Sequence, residues 1–197
     1  MTAVDNSSHA VLVTGGASGL GEATALYLSS QGHPVVVLDR DEQKCAVIGK
    51  RLADRGAAVC GSVLEDRDIE EAIEAAQHFG ELRWVVACAG GGEAGGRIVG
   101  KGGVPHDMAI FQRTIDLNVT GSFNTLRLTA SAMSTNLADP DGERGAVVLV
   151  TSGAGFEGQI GQIAYGSAKS ALIGMTLIAA RDLSSIGVRV NAIAPGV

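Results

Sequence analysis

The sequence predicts an α/β protein built on a doubly wound parallel sheet, in three layers with helices on both faces. Short valine-rich runs alternate with longer stretches of helical periodicity along the 197 residues. Most of these runs are apolar at consecutive positions, which is typical of strands covered on both faces. Several helical stretches are followed directly by glycine, the usual residue just past a helix end.

Six strands are predicted, at residues 10–14, 34–39, 57–61, 83–88, 146–151 and 188–194. Helices are predicted at residues 19–31, 41–55, 66–79, 107–138 and 161–186. Glycine-rich and turn-rich segments at residues 90–103 and 139–145 are predicted to be loops. Because neither a repeat nor a linker is evident, we expect one domain over residues 1–197.

Composition excludes several classes of function. The formal net charge is −6, and lysine and arginine form no cluster, so nucleic acid is not an expected partner. We find neither an apolar run near the roughly 18 residues of a membrane helix nor a signal sequence, and expect no membrane partner. Cys45, Cys60 and Cys88 form no metal-ligand spacing. They are interpreted as reduced core residues of a cytoplasmic protein that holds no metal.

The first predicted strand leads directly into a glycine-rich turn, residues 14–21 (TGGASGLG), and a helix follows. Glycines in this position permit a tight turn and let backbone N–H groups and the helix dipole approach a pyrophosphate. A plain strand-to-helix turn is the alternative. The position at the start of a βαβ unit favours dinucleotide binding.

The second predicted strand ends at Asp39, 18 residues after Gly21. A carboxylate there can accept hydrogen bonds from the adenosine ribose hydroxyls and would repel a 2′-phosphate, which favours NAD over NADP. Two alternatives stay open. Asp39 could be an N-cap or a turn residue for the helix at residues 41–55, and the adjacent Arg40 could accommodate a 2′-phosphate.

Four polar side chains are candidates for catalysis. Tyr165 and Lys169 are spaced i, i+4 on one face of the last helix, and a nearby cation favours the phenolate form of a tyrosine. Ser152 follows the fifth strand, at the sheet edge where ligands bind in open α/β folds. Asn118 interrupts an apolar helical stretch and could instead be a core amide that bends its helix.

Together these residues resemble the short-chain dehydrogenase/reductase family. Its T-G-x-x-x-G-x-G pattern falls on residues 14–21, its N-N-A-G strand end on residues 87–90 (ACAG), and its P-G pair on Pro195 and Gly196. The family's active-site Asn, Ser, Tyr and Lys fall on Asn118, Ser152, Tyr165 and Lys169. The stretches 156–162 (FEGQIGQ), 174–177 (GMTL) and 180–183 (ARDL) further resemble members that oxidise 3-hydroxyacyl-CoA thioesters or hydroxysteroids.

The resemblance implies a Rossmann-type fold and hydride transfer between NAD(H) and a secondary alcohol or ketone, here a 3-hydroxyacyl-CoA or a hydroxysteroid. Tyr165 would take the alcohol proton, Lys169 would hold the nicotinamide ribose, Ser152 would orient the substrate oxygen, and Asn118 would hold a water in a proton relay. Ser152, Gln162 and Tyr165 would contact the small-molecule substrate. The implied cofactor-binding residues are Gly15, Ser18, Gly19, Leu20, Gly21, Asp39, Ser62, Val63, Cys88, Ala89, Gly90, Tyr165, Lys169, Pro195 and Gly196.

The chain departs from the family pattern at three points. Ser62 replaces the usual Asp after the third strand, so the adenine amine loses a carboxylate acceptor. Ala87 replaces the first Asn of N-N-A-G, which removes a side-chain tie across the sheet. A typical member continues for roughly 50 residues beyond Val197. We therefore expect this domain to lack the last strand and the substrate lid, and to be incomplete at its C-terminus.

Two other functions stay open, an NADPH-dependent 3-oxoacyl thioester reductase and a non-catalytic dinucleotide-binding protein. For assembly, the family resemblance implies a homodimer or homotetramer formed through the two longest helices, residues 107–138 and 161–186. The alternative is that these helices only cover the sheet.

Overall fold

The computed structural model describes residues 9–92 and 96–196, which contain one six-stranded sheet with helices on both faces. All neighbouring strands are parallel, in the order β3-β2-β1-β4-β5-β6. The predicted fold class is confirmed, with each strand within about two residues of its expected bounds. The strands are β1 (His9–Thr14), β2 (Val35–Asp39), β3 (Gly56–Cys60), β4 (Glu81–Ala87), β5 (Gly145–Val150) and β6 (Val188–Ile193).

Seven α-helices connect these strands within the described ranges. The helix expected at residues 66–79 has those bounds, and a one-turn helix after β5 was not predicted. Residues 93–95 of the expected loop at residues 90–103 lie outside the described part of the chain. The helices are α1 (Gly19–Ser30), α2 (Glu42–Leu52), α3 (Asp66–Phe79), α4 (Met108–Ile115), α5 (Gly121–Met133), α6 (Ala154–Glu157) and α7 (Ile163–Leu183).

The central strands are buried on both faces, which explains their consecutive apolar residues. In β2, Val35 and Val37 pack with α1 and α2 in one cluster, whereas Val36 and Leu38 pack with α3 and α5 in another. Successive side chains of a strand point to opposite faces, so one strand contributes to both cores. This arrangement leaves the carboxyl ends of the strands at one edge, where the polar candidate residues lie.

The single helix predicted at residues 107–138 was wrong. The structure divides it into α4 and α5 around a π-helical segment, Asp116–Thr120, and ends α5 at Met133. The Asn118 amide donates to the Thr114 carbonyl at 2.9 Å, a backbone acceptor that a regular helix would use for itself. A side chain that competes for a helix carbonyl favours such a local widening.

Helix α7 corrects the expectation that no segment is long and apolar enough for a membrane. With the turn that follows, Ile163–Ile186 passes that test by length and composition alone, with a mean hydropathy of 1.3. Lys169 and Leu172 of this helix are buried, and the helix packs against β6. Composition alone does not distinguish such a sheet-covering helix from a membrane span.

The interpretation of all three cysteines as core residues was also wrong for one of them. Cys45 is buried and Cys88 is half-buried, but Cys60 is exposed. Cys60 is the last residue of β3, which lies at the edge of the sheet. A residue at the end of an edge strand lacks neighbours on one side, and this explains its exposure.

Candidate active site

A cleft of about 1070 Å³ lies at the carboxyl ends of the strands. Strand order reverses direction between β1 and β4, and ligands of open α/β sheets bind at such a switch point. Every cofactor and substrate residue implied by the sequence lines this cleft. Of the four catalytic candidates, Ser152, Tyr165 and Lys169 line it, whereas Asn118 lies behind its wall.

The glycine-rich turn is shaped by close backbone contacts. Gly15 has a φ of +64°, and a Cβ on it would lie 2.7 Å from the Ala89 Cα. A Cβ on Gly21 would lie 2.1 Å from the Gly15 carbonyl oxygen, so α1 can approach the turn only because that position is glycine. The result is that exposed Ser18 and the first turn of α1 face the cleft.

We expect Gly21→Ala to destabilise the fold, because the new methyl group overlaps the Gly15 carbonyl. Overpacking of this kind lowers the free energy of unfolding by about 1–3 kcal/mol. Gly49→Ala is the matched control, since its added Cβ makes an ordinary 3.5 Å contact with the Ala58 Cβ. Urea unfolding of the two variants measures the difference, and equal midpoints would contradict the expected overlap.

Asp39 holds the turn and the start of α2 together while lining the cleft. Its carboxylate accepts hydrogen bonds from the Ala17 N–H and the Asp41 N–H, both at 3.1 Å. The cap of α2 is Asp41, whose carboxylate accepts from the Lys44 N–H at 3.1 Å and whose pKa this contact lowers. Asp39 is therefore not the N-cap of α2, but its bond to the Asp41 N–H is that of a turn aspartate, the other form of that alternative. Arg40 lines the same end of the cleft.

The structure gives a local account of two departures from the family pattern. Ser62 is tied to its own loop, since its N–H donates to the Asp68 carboxylate at 2.7 Å and its hydroxyl accepts from the Leu64 N–H at 3.2 Å. A tie between β1 and β4 is present beside Ala87, where the Ala89 N–H donates to the buried Thr14 hydroxyl at 3.4 Å. Threonine thus links these strands without the missing asparagine.

Lys169 is 96% buried, next to half-buried Tyr165. Its ammonium donates to the Val150 carbonyl at 2.8 Å and lies 5.6 Å from the centre of the Tyr165 ring. Burial lowers the pKa of Lys169 to about 8, with a small opposing effect of the Cys88 thiol. Burial likewise raises the pKa of Cys88 to about 11. The two helix residues spaced i, i+4 therefore place a desolvated cation beside a phenol.

Asn118 positions the cleft wall rather than forming its surface. Its amide accepts from the Gly91 N–H at 3.1 Å and donates to the Gly91 carbonyl at 2.5 Å. Gly90 fits between this amide and Lys169, because a Cβ there would lie 2.8 Å from Oδ1 and 3.0 Å from Nζ. Asn118 is thus a buried amide that interrupts its helix, one of the two interpretations open from the sequence, and it borders Gly90 next to Lys169. The water relay stays a prediction.

Ser152 and Gln162 line the cleft on either side of α6 in the sequence. The Ser152 hydroxyl accepts from the Ala154 N–H at 3.2 Å, which fixes its direction at the end of β5. The Thr151 hydroxyl donates to the Lys169 carbonyl at 2.7 Å and so ties β5 to α7. Within the described ranges, the buried Gln162 Oε1 has no hydrogen-bond partner. Gly153 N–H donates to the Pro195 carbonyl at 2.9 Å, which holds the segment ending at Gly196 against the cleft.

Several polar residues of the cleft were not identified from the sequence. Arg113 and Asp116 could have been identified from the sequence, because their i, i+3 spacing places them on one helix face in the turn before Asn118. Glu157 and Gln159 belong to or follow α6, a one-turn helix without a detectable period. The additional polar lining residues are Asp41, Lys44, Arg113, Thr114, Asp116, Thr151, Glu157 and Gln159.

Comparisons with known proteins agree with this geometry. The family profile described as short chain dehydrogenase matches residues 9–197. The 3-hydroxyacyl-CoA dehydrogenase type-2 of Drosophila melanogaster is 44% identical over 186 residues, 94% of this chain and 73% of that protein. The crystal structure of 3-hydroxyacyl-CoA dehydrogenase type-2 from Mycobacterium avium matches with a TM-score of 0.95 and 45% identity, covering 99% of this chain and 76% of that chain. NAD⁺-bound xylitol dehydrogenase matches with a TM-score of 0.82 and 26% identity, covering 98% and 72%.

Proposed function

This chain belongs to the short chain dehydrogenase family of oxidoreductases, and we propose that it transfers a hydride between NAD(H) and a 3-hydroxyacyl-CoA or a similar secondary alcohol. The observation that carries the proposal is the buried Lys169 ammonium beside Tyr165, with Ser152 on the same cleft. The named activity of the two type-2 relatives supports the substrate class.

The residues present fit a dinucleotide. The cleft volume of about 1070 Å³ is at the upper end for small-molecule sites, as an extended cofactor plus substrate requires. A Cβ at Gly15 or Gly21 would overlap backbone atoms, so the turn allows the close approach that a pyrophosphate needs. In this proposal Asp39 holds the adenosine ribose, the α1 N-terminus holds the pyrophosphate, and Lys169 holds the nicotinamide ribose.

The chain's own residues account for the proton. Bound NAD⁺ would accept the hydride from the carbinol carbon, or NADH would return it. Tyr165 takes the proton of the alcohol at its phenol oxygen, and the neighbouring Lys169 ammonium stabilises the negative charge left there. Ser152 orients the substrate oxygen, because the Ala154 N–H fixes its hydroxyl. The unpartnered Gln162 Oε1 is available to a polar group of the substrate.

The direct test is NADH formation with 3-hydroxybutyryl-CoA, with a hydroxysteroid assayed in parallel. We expect turnover of the thioester with NAD⁺. If the protein binds NADH tightly but turns over neither alcohol, the non-catalytic alternative replaces this proposal. If the hydroxysteroid alone is oxidised, the reaction class stands and the substrate assignment is wrong.

Cofactor preference tests the role of Asp39. We expect the kcat/KM with NAD⁺ to exceed that with NADP⁺, because the carboxylate would repel a 2′-phosphate. Asp39→Asn should reduce this ratio at least about tenfold, since close like charges oppose binding by several kcal/mol. Asp54→Asn, at an exposed carboxylate that does not line the cleft, is the control. A wild-type preference for NADP⁺ would favour the reductase alternative, with Arg40 binding the phosphate.

We propose that the protein is a homodimer formed through α7. One face of this helix carries exposed residues that are small or apolar, which suits close packing against a second copy. On this reasoning Leu177→Lys should produce monomers in size-exclusion chromatography with light scattering. Leu137→Lys, at a more exposed leucine in the loop after α5, should not change the mass. A wild-type monomer would exclude the dimer. The face contains Ser170, Ala171, Gly174, Leu177 and Ile178.

A further inference from the structure

Two of the three cysteines lie side by side behind Asp39. Helix α2 runs antiparallel to β3, and a Cβ on Gly49 would lie 3.5 Å from the Ala58 Cβ. Cys45 lies one helical turn before Gly49 in α2. Cys60 lies two residues after Ala58, on the same face of β3. The packing that brings Gly49 to Ala58 therefore brings Cys45 to Cys60.

The two sulfur atoms converge on the residues at the end of β2. The Cys45 thiol donates to the Asp39 carbonyl at 3.3 Å and is 3.7 Å from the Val59 carbonyl. The Cys60 thiol donates to the Arg40 carbonyl at 3.9 Å. The Cys45 thiol is its neighbour and interacts with it electrostatically. Both thiols thus approach the same stretch of backbone.

The two thiols differ in their access to solvent. Cys60 is exposed, whereas Cys45 is 95% buried. Burial, together with the neighbouring Cys60 and Asp39, raises the pKa of the Cys45 thiol to about 11. Because Cys60 is exposed and Cys45 is buried, an oxidant from solution meets Cys60 first and Cys45 second.

We propose that Cys45 and Cys60 form a reversible intramolecular disulfide in response to low-molecular-weight disulfides. The Cys60 thiolate attacks one sulfur of such a disulfide, RSSR, and forms a mixed disulfide as RS⁻ leaves. The Cys45 thiolate then attacks the Cys60 sulfur and displaces the second RS⁻. Both protons of the cysteine thiols end on the two RS⁻ groups, so the protein loses two electrons and RSSR is reduced to two RSH.

The disulfide alters the end of the cleft at which Asp39 lies. It removes the S–H donors from the Asp39 and Arg40 carbonyls and draws α2 and β3 together at that point. This second part of the inference rests on the proposed function, in which Asp39 holds the adenosine ribose. We expect the oxidised protein to bind NADH at least about fivefold more weakly. By reciprocity, bound NADH disfavours the disulfide by the same factor.

The disulfide is tested by mass, independently of any activity. The reduced 197-residue protein is incubated with glutathione disulfide, and its intact mass and its peptides are measured before and after dithiothreitol. We expect a loss of two hydrogen atoms, a linked Cys45–Cys60 peptide and full reversal. The Cys60→Ser variant should not lose the two hydrogen atoms. The Cys88→Ser variant should lose them and form the same linked peptide as the wild type. A stable glutathione adduct, a link to Cys88, a link between chains or no reaction would overturn the proposal.

The effect on binding is tested by NADH fluorescence titration of reduced and oxidised protein. Cys60→Ser, at an exposed position, is expected to bind NADH equally before and after oxidant treatment. A disulfide that forms without weakening NADH binding overturns the second part alone. If the reduced protein does not bind NADH, the proposed function fails, while the mass result still decides whether the disulfide exists.

Discussion

Tyr165→Phe should lower the kcat for oxidation of the secondary alcohol by about 10²–10⁴-fold, the usual contribution of a positioned acid or base. The substitution removes one oxygen atom and leaves the ring, which lies half-buried and 5.6 Å from the Lys169 ammonium. Binding of NADH should therefore remain close to that of the wild type. Stopped-flow turnover together with NADH titration separates the two quantities.

The second tyrosine of the chain supplies the control. Tyr27 is 64% exposed on α1 and does not line the cleft, so Tyr27→Phe should leave kcat unchanged. A Tyr165→Phe enzyme with wild-type turnover would show that the alcohol proton leaves by another route. A loss of both turnover and NADH binding would instead indicate that the hydroxyl is needed to form the cleft.

The fold was predictable because its determinants are local in the sequence. Consecutive apolar residues mark strands buried on two faces, and Gly80 follows α3 at the predicted end of that helix. The sequence allowed a bend at Asn118 but did not predict the full break between α4 and α5, because Asn118 bonds to Gly91 as well as to Thr114. Gly91 is 27 residues away in the chain, and only the folded structure brings it to that amide.

For the candidate site, the residues were predictable but their surroundings were not. Motif spacing identified Tyr165, Lys169 and Ser152, which do meet on one cleft. It could not supply the environment of Lys169, since the Val150 carbonyl that accepts from its ammonium belongs to another element, β5. For the same reason the proximity of Cys45 to Cys60 was not predicted. It follows from how α2 packs on β3, and the spacing of the two cysteines in the sequence does not indicate it.

The environment of Lys169 leads to a second large effect, on stability. In the unfolded chain Lys169 titrates near its ordinary pKa of 10.5, and in the folded protein burial lowers that pKa to about 8. This difference corresponds to roughly 3 kcal/mol of destabilisation at neutral pH, at about 1.4 kcal/mol per pH unit. Replacing the lysine removes this destabilisation. It also removes the hydrogen bond to the Val150 carbonyl, which lowers the gain in the free energy of unfolding by about 1 kcal/mol. Lys169→Met should thus unfold with a free energy about 2 kcal/mol higher at pH 7 while losing turnover.

The sign of the pH dependence makes this expectation specific. Between pH 8 and 10.5 the unfolded chain binds a proton at Lys169 that the folded chain does not, so this group makes wild-type stability rise with pH across that window. Lys169→Met lacks this contribution, and its advantage should shrink as pH rises through the window. Lys50→Met, at an exposed lysine of α2, should stay within about 0.5 kcal/mol of the wild type at every pH. Urea unfolding without cofactor, from pH 7 through this window, measures the stability of the wild type and of both variants. A Lys169→Met variant less stable than the wild type at pH 7 would show that the surroundings stabilise the buried ammonium, and that burial does not set its pKa.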